Sequence, residues 1–203
     1  MAGQTEELYV ASDFANKLFT SAIEGAATDA QGNIYAVSFG QDRETIGIVS
    51  PEGNGRLHVK LEPGQSANGI RFSSKEEMFI ADCTGHNVLK YNSDTGKTSV
   101  FAHNSNMNQP NDICIMDNDI LFASDPNWAE GSGKLWRITP DGQTTLLEDN
   151  MGTTNGIEVS PDNKKLYVNE SKQLNLWVYD LGMGFGLSLL TRGRLFSGGR
   201  FGE

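Results

Sequence analysis

The chain has 203 residues, a length for one domain, with 37% hydrophobic and 21% charged residues, a globular balance and not a disordered one. Its formal net charge of -10 argues against nucleic acid and against an anionic membrane surface, both of which attract a basic footprint. No apolar run approaches the ~20 residues of a membrane span.

Residues 1–23 offer one candidate strand, Leu8–Val10, and no basic-then-apolar segment of the secretory kind. A soluble, cytoplasmic protein is expected. From Glu24 onward the chain reads as one segment written four times. The first, EGAATDAQGNIYAVSF, predicts an alternating stretch, a turn and a strand at Ile34–Phe39, then strands at Ile46–Val49 and Leu57–Leu61. The second, NGIRFSSKEEMFIADC from Asn68, predicts Met78–Asp82, Asn87–Tyr91 and Thr98–Phe101. The third, NDICIMDNDILFASDP from Asn111, predicts Ile120–Ser124, Lys134–Ile138 and Thr144–Leu147. The fourth, NGIEVSPDNKKLYVNE from Asn155, predicts Leu166–Asn169, Asn175–Tyr179 and, less clearly, Leu187–Leu190.

The leading residues recur at intervals of 44, 43 and 44. The apolar spacing is two, not 3.6, so a helical solenoid fits badly. Four short strands per repeat of this length make a propeller blade. The expectation is an all-β propeller of about four blades, a single domain over 1–203. Blades are related by rotation about a shared channel, so Glu24, Asn68, Asn111 and Asn155 should converge on its axis. One carboxylate and three amides are hard oxygen donors, suited to Ca2+ or Mg2+, with Mn2+ behind them. Asn-Gly and Asn-Asp are also common turn formers, because both residues tolerate positive φ; the shared phase favours the hub. Cys83 and Cys114 make no disulfide framework, and the Cys83/His86 pair lacks a second pair for a metal site. Met78, Phe79, Phe122, Trp136 and Trp177 fall at strand phases and read as core, while His58 and His103 read as surface.

In Glu24-Gly25, Gln109-Pro110-Asn111-Asp112, Ser124-Asp125-Pro126 and Thr154-Asn155-Gly156-Ile157-Glu158-Val159-Ser160-Pro161-Asp162 the chain resembles the SMP-30/gluconolactonase/luciferin-regenerating-enzyme family over essentially its whole length. The resemblance implies a six-bladed propeller with one divalent cation at the centre of its channel. Ca2+ is the first choice, with Mg2+, Mn2+ and Zn2+ as alternatives. It implies Glu24, Asn111 and Asn155 as metal ligands, with Asn68, Asp112, Asn127 and Trp128 lining the substrate pocket. Ala26-Ala27 departs from the family pattern. The family's fourth ligand, an Asp that is also the usual general base, has no counterpart and is expected just beyond Glu203, after Arg194-Leu195-Phe196 and Phe201-Gly202. About two blades would then be absent, and exposed blade faces would favour self-association. Asp125, placed towards a blade edge, is the substitute catalytic candidate. The implied activity is hydrolysis of a sugar-acid or related lactone by metal Lewis acid and carboxylate base. The alternatives are an organophosphate hydrolase or arylesterase, or a non-enzymatic propeller that binds a metal or a protein.

Overall fold

The computed structural model describes residues 11–19, 22–38 and 44–182, and the backbone of 193–194. The predicted strands Leu8–Val10 and Leu187–Leu190, and the motif residues from Leu195 onward, lie outside the described residues.

Four four-stranded antiparallel sheets follow one another in chain order. Blade 1 is β1 (Ile23–Thr28), β2 (Ile34–Ser38), β3 (Thr45–Val49) and β4 (Gly55–Lys60). Blade 2 is β5 (Ala67–Phe72), β6 (Met78–Asp82), β7 (Asn87–Asn92) and β8 (Lys97–His103). Blade 3 is β9 (Ile113–Ile115), β10 (Leu121–Asn127), β11 (Ser132–Ile138) and β12 (Thr144–Met151). Blade 4 is β13 (Thr154–Val159), β14 (Lys165–Glu170), β15 (Asn175–Asp180) and β16 (Gly193–Arg194). Within each blade every strand pairs with the next, and the successive innermost strands β1, β5, β9 and β13 lie beside one another. This is the β-propeller expected from the repeat.

The core is a set of seams between blades. One seam joins Val37, Ile46 and Val59 of blade 1 to Ile70, Ile80 and Leu89 of blade 2. The next joins Phe79, Ala81 and Val88 to Ile113, Leu121, Ala123 and Trp136. The third joins Phe122, Leu135 and Met151 to Ile157, Leu166, Val168 and Tyr179. Side chains alternate across a strand, so Met78 and Ile80 fill one seam while Phe79 and Ala81 fill the next. That two-sided burial explains why all five residues of β6 are buried and why such strands read as continuous apolar runs.

Two local features differ from the sequence expectations. β10 runs on through Asp125, Pro126 and Asn127, because these stay paired with Lys134, Gly133 and Ser132. His58 is half-buried and not a plain surface residue: its ring lies 5.0 Å from Tyr35 and 4.8 Å from Tyr91. Burial, aided by Arg56, holds its pKa below the ordinary value. No helix among the described residues is long and apolar enough to cross a membrane.

Candidate functional site

Each innermost strand ends in a turn closed by the same backbone hydrogen bond. The donors are Asp29, Ser73, Met116 and Ser160, bonded to the carbonyls of Asn33, Glu77, Ile120 and Lys165 at 3.2, 3.0, 2.9 and 2.8 Å. Five residues before those donors stand Glu24, Asn68, Asn111 and Asn155. The four leading residues therefore share one structural phase.

A break in register sits beside each of them. The pairing shifts between Glu24 and Ala27, between Ala67 and Ile70, and between Thr154 and Ile157. In blade 3 the N–H of Asn111 donates to the Ser124 carbonyl at 2.9 Å, and the Ser124 N–H donates to the Asp112 carbonyl at 3.0 Å. Two residues thus face one. A bulge of this kind bends the strand and re-aims the side chain beside it. The bulged residues are Gly25, Gly69, Asp112 and Gly156. Glycine is required where the blades approach: a Cβ on Gly25, whose φ is +59°, would stand 1.7 Å from the Asn68 carbonyl oxygen. A Cβ on Gly69 would stand 2.5 Å from Asp112 Oδ1 and 2.8 Å from its Cα. The Gly69 N–H also donates to the Asn111 carbonyl at 2.8 Å. The Asn-Gly and Asn-Asp pairs are therefore inner-strand bulges at the hub and not turn residues.

The side chains at this level are mostly uncommitted. Glu24 is exposed, and its carboxylate has no hydrogen bond or ion pair among the described residues; nor do the amides of Asn68 and Asn111. Asn155 donates from Nδ2 to Ser171 Oγ at 2.9 Å, which leaves its Oδ1 as the free end. A carboxylate and amide oxygens at the same strand phase are the hard-oxygen chemistry that a cation such as Ca2+ takes. Among the described residues no three His, Cys, Asp or Glu side chains are grouped to hold a metal; amide oxygens carry most of this set.

Asp112 reaches across the hub. Its Oδ1 lies 3.5 Å from the Arg71 guanidinium, and its Oδ2 accepts from the Ile157 N–H at 3.4 Å. Burial pushes its carboxyl up, against the opposing pull of Arg71. Arg71 also stands 3.5 Å from Glu158 Oε2. An ion triad thus links β5, the residue that leads into β9, and β13. Sequence reading did not single out Arg71 or Glu158 as site residues: both stand three residues after a leading Asn, a phase that Ala27 and Cys114 fill in blades 1 and 3.

Asp125 corrects an expectation. It is 0% exposed and not at a blade edge. Its oxygens accept from the N–H groups of Asn108 at 2.8 and 2.9 Å, of Gln109 at 2.6 Å, and from Trp136 Nε1 at 2.8 Å. Burial pushes its carboxyl up despite these donors. A carboxylate so enclosed has no approach for a substrate, so it is a poor general base. Asn127 and Trp128 lie where β10 leaves the blade. Asn127 Oδ1 accepts from the Glu130 N–H at 3.1 Å, and the half-buried Trp128 accepts at its carbonyl from Lys172 Nζ at 2.5 Å.

A groove of ≈ 750 Å³ opens elsewhere, between blades 1 and 2, lined by Asp29, Tyr35, His58, Phe72 and Tyr91 among others. It adjoins the turn after β1, roughly 16 Å along the strand from Glu24 at about 3.3 Å per residue. Several of its charges are committed: Asp29 accepts from Tyr35 Oη at 2.9 Å, and Lys90 pairs with Glu77 at 2.6 Å. It is a blade seam and does not reach the hub.

Four meander blades around bulged inner strands define a β-propeller, with Glu24, Asn68, Asn111 and Asn155 at one phase of its innermost strands. The SMP-30/Gluconolactonase/LRE-like region matches residues 60–188, and the chain belongs to that family. A gluconolactonase of Zymomonas mobilis subsp. mobilis is 31% identical over 136 residues, covering 59% of this chain and 38% of that one. Among solved structures, a gluconolactonase from Xanthomonas campestris superposes with a TM-score of 0.72 at 18% identity, over 87% of this chain and 64% of that one. Virginiamycin B lyase from Staphylococcus aureus superposes with a TM-score of 0.68 at 14% identity, over 87% of this chain and 56% of that one. The chain therefore spans less than two thirds of each of these proteins.

Proposed function

We propose that this chain carries part of a metal-dependent hydrolase site of the gluconolactonase type, acting on a sugar-acid or related lactone. The observation that supports this most is the common phase of Glu24, Asn68, Asn111 and Asn155, with donor oxygens uncommitted. Glu24, Asn111 and Asn155 would hold a divalent cation, Ca2+ before Mg2+, Mn2+ or Zn2+. When bound, such an ion polarises a lactone carbonyl and acidifies water. Asn68 would orient the ring hydroxyls of the substrate. Asp112, raised by burial beside Asn111, is the described carboxylate best suited to accept a proton.

The test is calcium titration calorimetry together with lactone turnover. The intact chain should bind one Ca2+, and Glu24→Gln should abolish that binding. Unchanged affinity in the variant would refute the ligand assignment. A panel of aryl esters and organophosphates separates the sister activities. The second reading is a propeller that binds metal or protein without turnover. It is favoured by Arg71, which already neutralises Asp112, the candidate base; metal binding without turnover would select it. The apolar side chains of Ile23 and Leu57, 57% and 59% exposed on blade 1, support self-association as a further expectation, to be read by light scattering.

A further inference from the structure

The acid that corrects the catalytic expectation has counterparts. Asp82, Asp125 and Glu170 stand at one phase of the second strands of blades 2, 3 and 4, and are 0%, 0% and 3% exposed. Buried charges of this kind are costly unless they are hydrogen-bonded. Each receives backbone N–H groups from the chain that leads into the innermost strand of its own blade. Asp82 Oδ1 accepts from Ser66 at 2.9 Å, Asp125 from Asn108 and Gln109, and Glu170 Oε1 from Gly152 at 2.7 Å. Each also receives a side-chain donor from the third strand: Asn87 Nδ2 at 3.2 Å, Trp136 Nε1 at 2.8 Å and Asn175 Nδ2 at 2.5 Å. The latched amides lie two residues before Asn68, two before Asn111 and three before Asn155. Asp125 touches the neighbouring blade as well: its own N–H donates to Thr154 Oγ1 at 3.1 Å, one residue before Asn155. Blade 1 has Ser38 at this phase and its carboxylate on the inner strand, at Glu24.

We propose that Asp82, Asp125 and Glu170 form a repeated latch that sets the backbone in front of the hub residue of each blade. Asp125 and Glu170 are thereby positioning residues for Asn111 and Asn155 as ion ligands. The ligand clause rests on the hub reading above; the latch does not. Charge-assisted acceptance of backbone N–H groups is strong and directional. It acts where an innermost strand begins and ladder hydrogen bonds have not yet taken over. Outer groups that orient ligands commonly carry about 10- to 100-fold of metal affinity.

The experiment uses the full chain. Amide hydrogen exchange and calcium calorimetry are compared for wild type, Asp125→Asn, Glu170→Gln and Asp82→Asn. Asp125→Asn should speed exchange at Asn108 and Gln109 by roughly tenfold or more, with blade 1 still protected. It should weaken Ca2+ about 10- to 100-fold. Asp82→Asn should loosen Ser66 to the same degree but leave Ca2+ affinity within about twofold, because Asn68 is outside the proposed ligand set. Equal weakening by Asp82→Asn and Asp125→Asn, or unchanged affinity in Asp125→Asn, overturns the positioning role. If wild type binds no Ca2+, the hub reading fails, and exchange judges the latch: unaltered protection at Asn108, Gln109 and Gly152 overturns it. Should Asp125→Asn not fold, Glu170→Gln carries both measurements at Gly152–Asn155.

Discussion

Gly25 is held at φ +59°, with the Asn68 carbonyl where a side chain would begin. Gly25→Ala is therefore expected to destabilise the chain by about 3 kcal/mol, from strained backbone plus displacement of β5. Urea denaturation would measure this. At Leu174 the relation is reversed. It is 85% exposed with φ at 56°, a conformation that costs an L-residue free energy. Leu174→Gly should raise stability by up to about 1 kcal/mol, net of the glycine's own entropic cost. His58 supplies a pH dependence. Its folded pKa lies below the ordinary 6.5, so the unfolded chain holds more protons across that window. Stability should then fall as pH drops below about 6.5, and His58→Gln should flatten that slope. Thermal melts at several pH values would show it.

At the scale of elements, β10 and β11 together enclose Asp125. Trp136 is 1% exposed in the seam between blades 2 and 3, and its indole N–H ends on Asp125. Trp136→Phe keeps most of the apolar packing and removes that donor from a buried carboxylate. A loss of about 1–3 kcal/mol is expected, the desolvation cost of an acceptor left short of a partner. Equal stability of Trp136→Phe and wild type would mean that the backbone donors alone satisfy Asp125. The bulges also act at this scale. Each lets two residues face one, which turns the leading Glu or Asn without disturbing the strand ahead of it.

For the molecule as a whole, 26 acidic against 16 basic residues leave a repulsive surface. Raising NaCl from low to physiological concentration should lift the melting temperature by about a few degrees, as screening relieves that repulsion. Ca2+ at matched ionic strength should add a further rise if the hub holds the ion, by mass action on the folded state. Coincident melts with and without Ca2+ would separate general screening from a bound ion. The three seams join the blades in series, so a defect in the middle seam is felt on both sides.

The blade count, the strand order and the phase of Glu24, Asn68, Asn111 and Asn155 were legible in the sequence, because rotation about one axis writes each blade into the chain at a near-constant period. The fate of Asp125 was not: its letter is the same at an edge or in a seam, and only the approach of Asn108, Gln109 and Trp136 encloses it. The same holds for the meeting of Arg71, Asp112 and Glu158 from three blades: the Asn-Gly-Ile frame that precedes both Arg71 and Glu158 does not say that their side chains pair. Periodicity reports what repeats along the chain. Contacts between strands far apart in sequence depend on register and bulges, and those are set when the sheets pack.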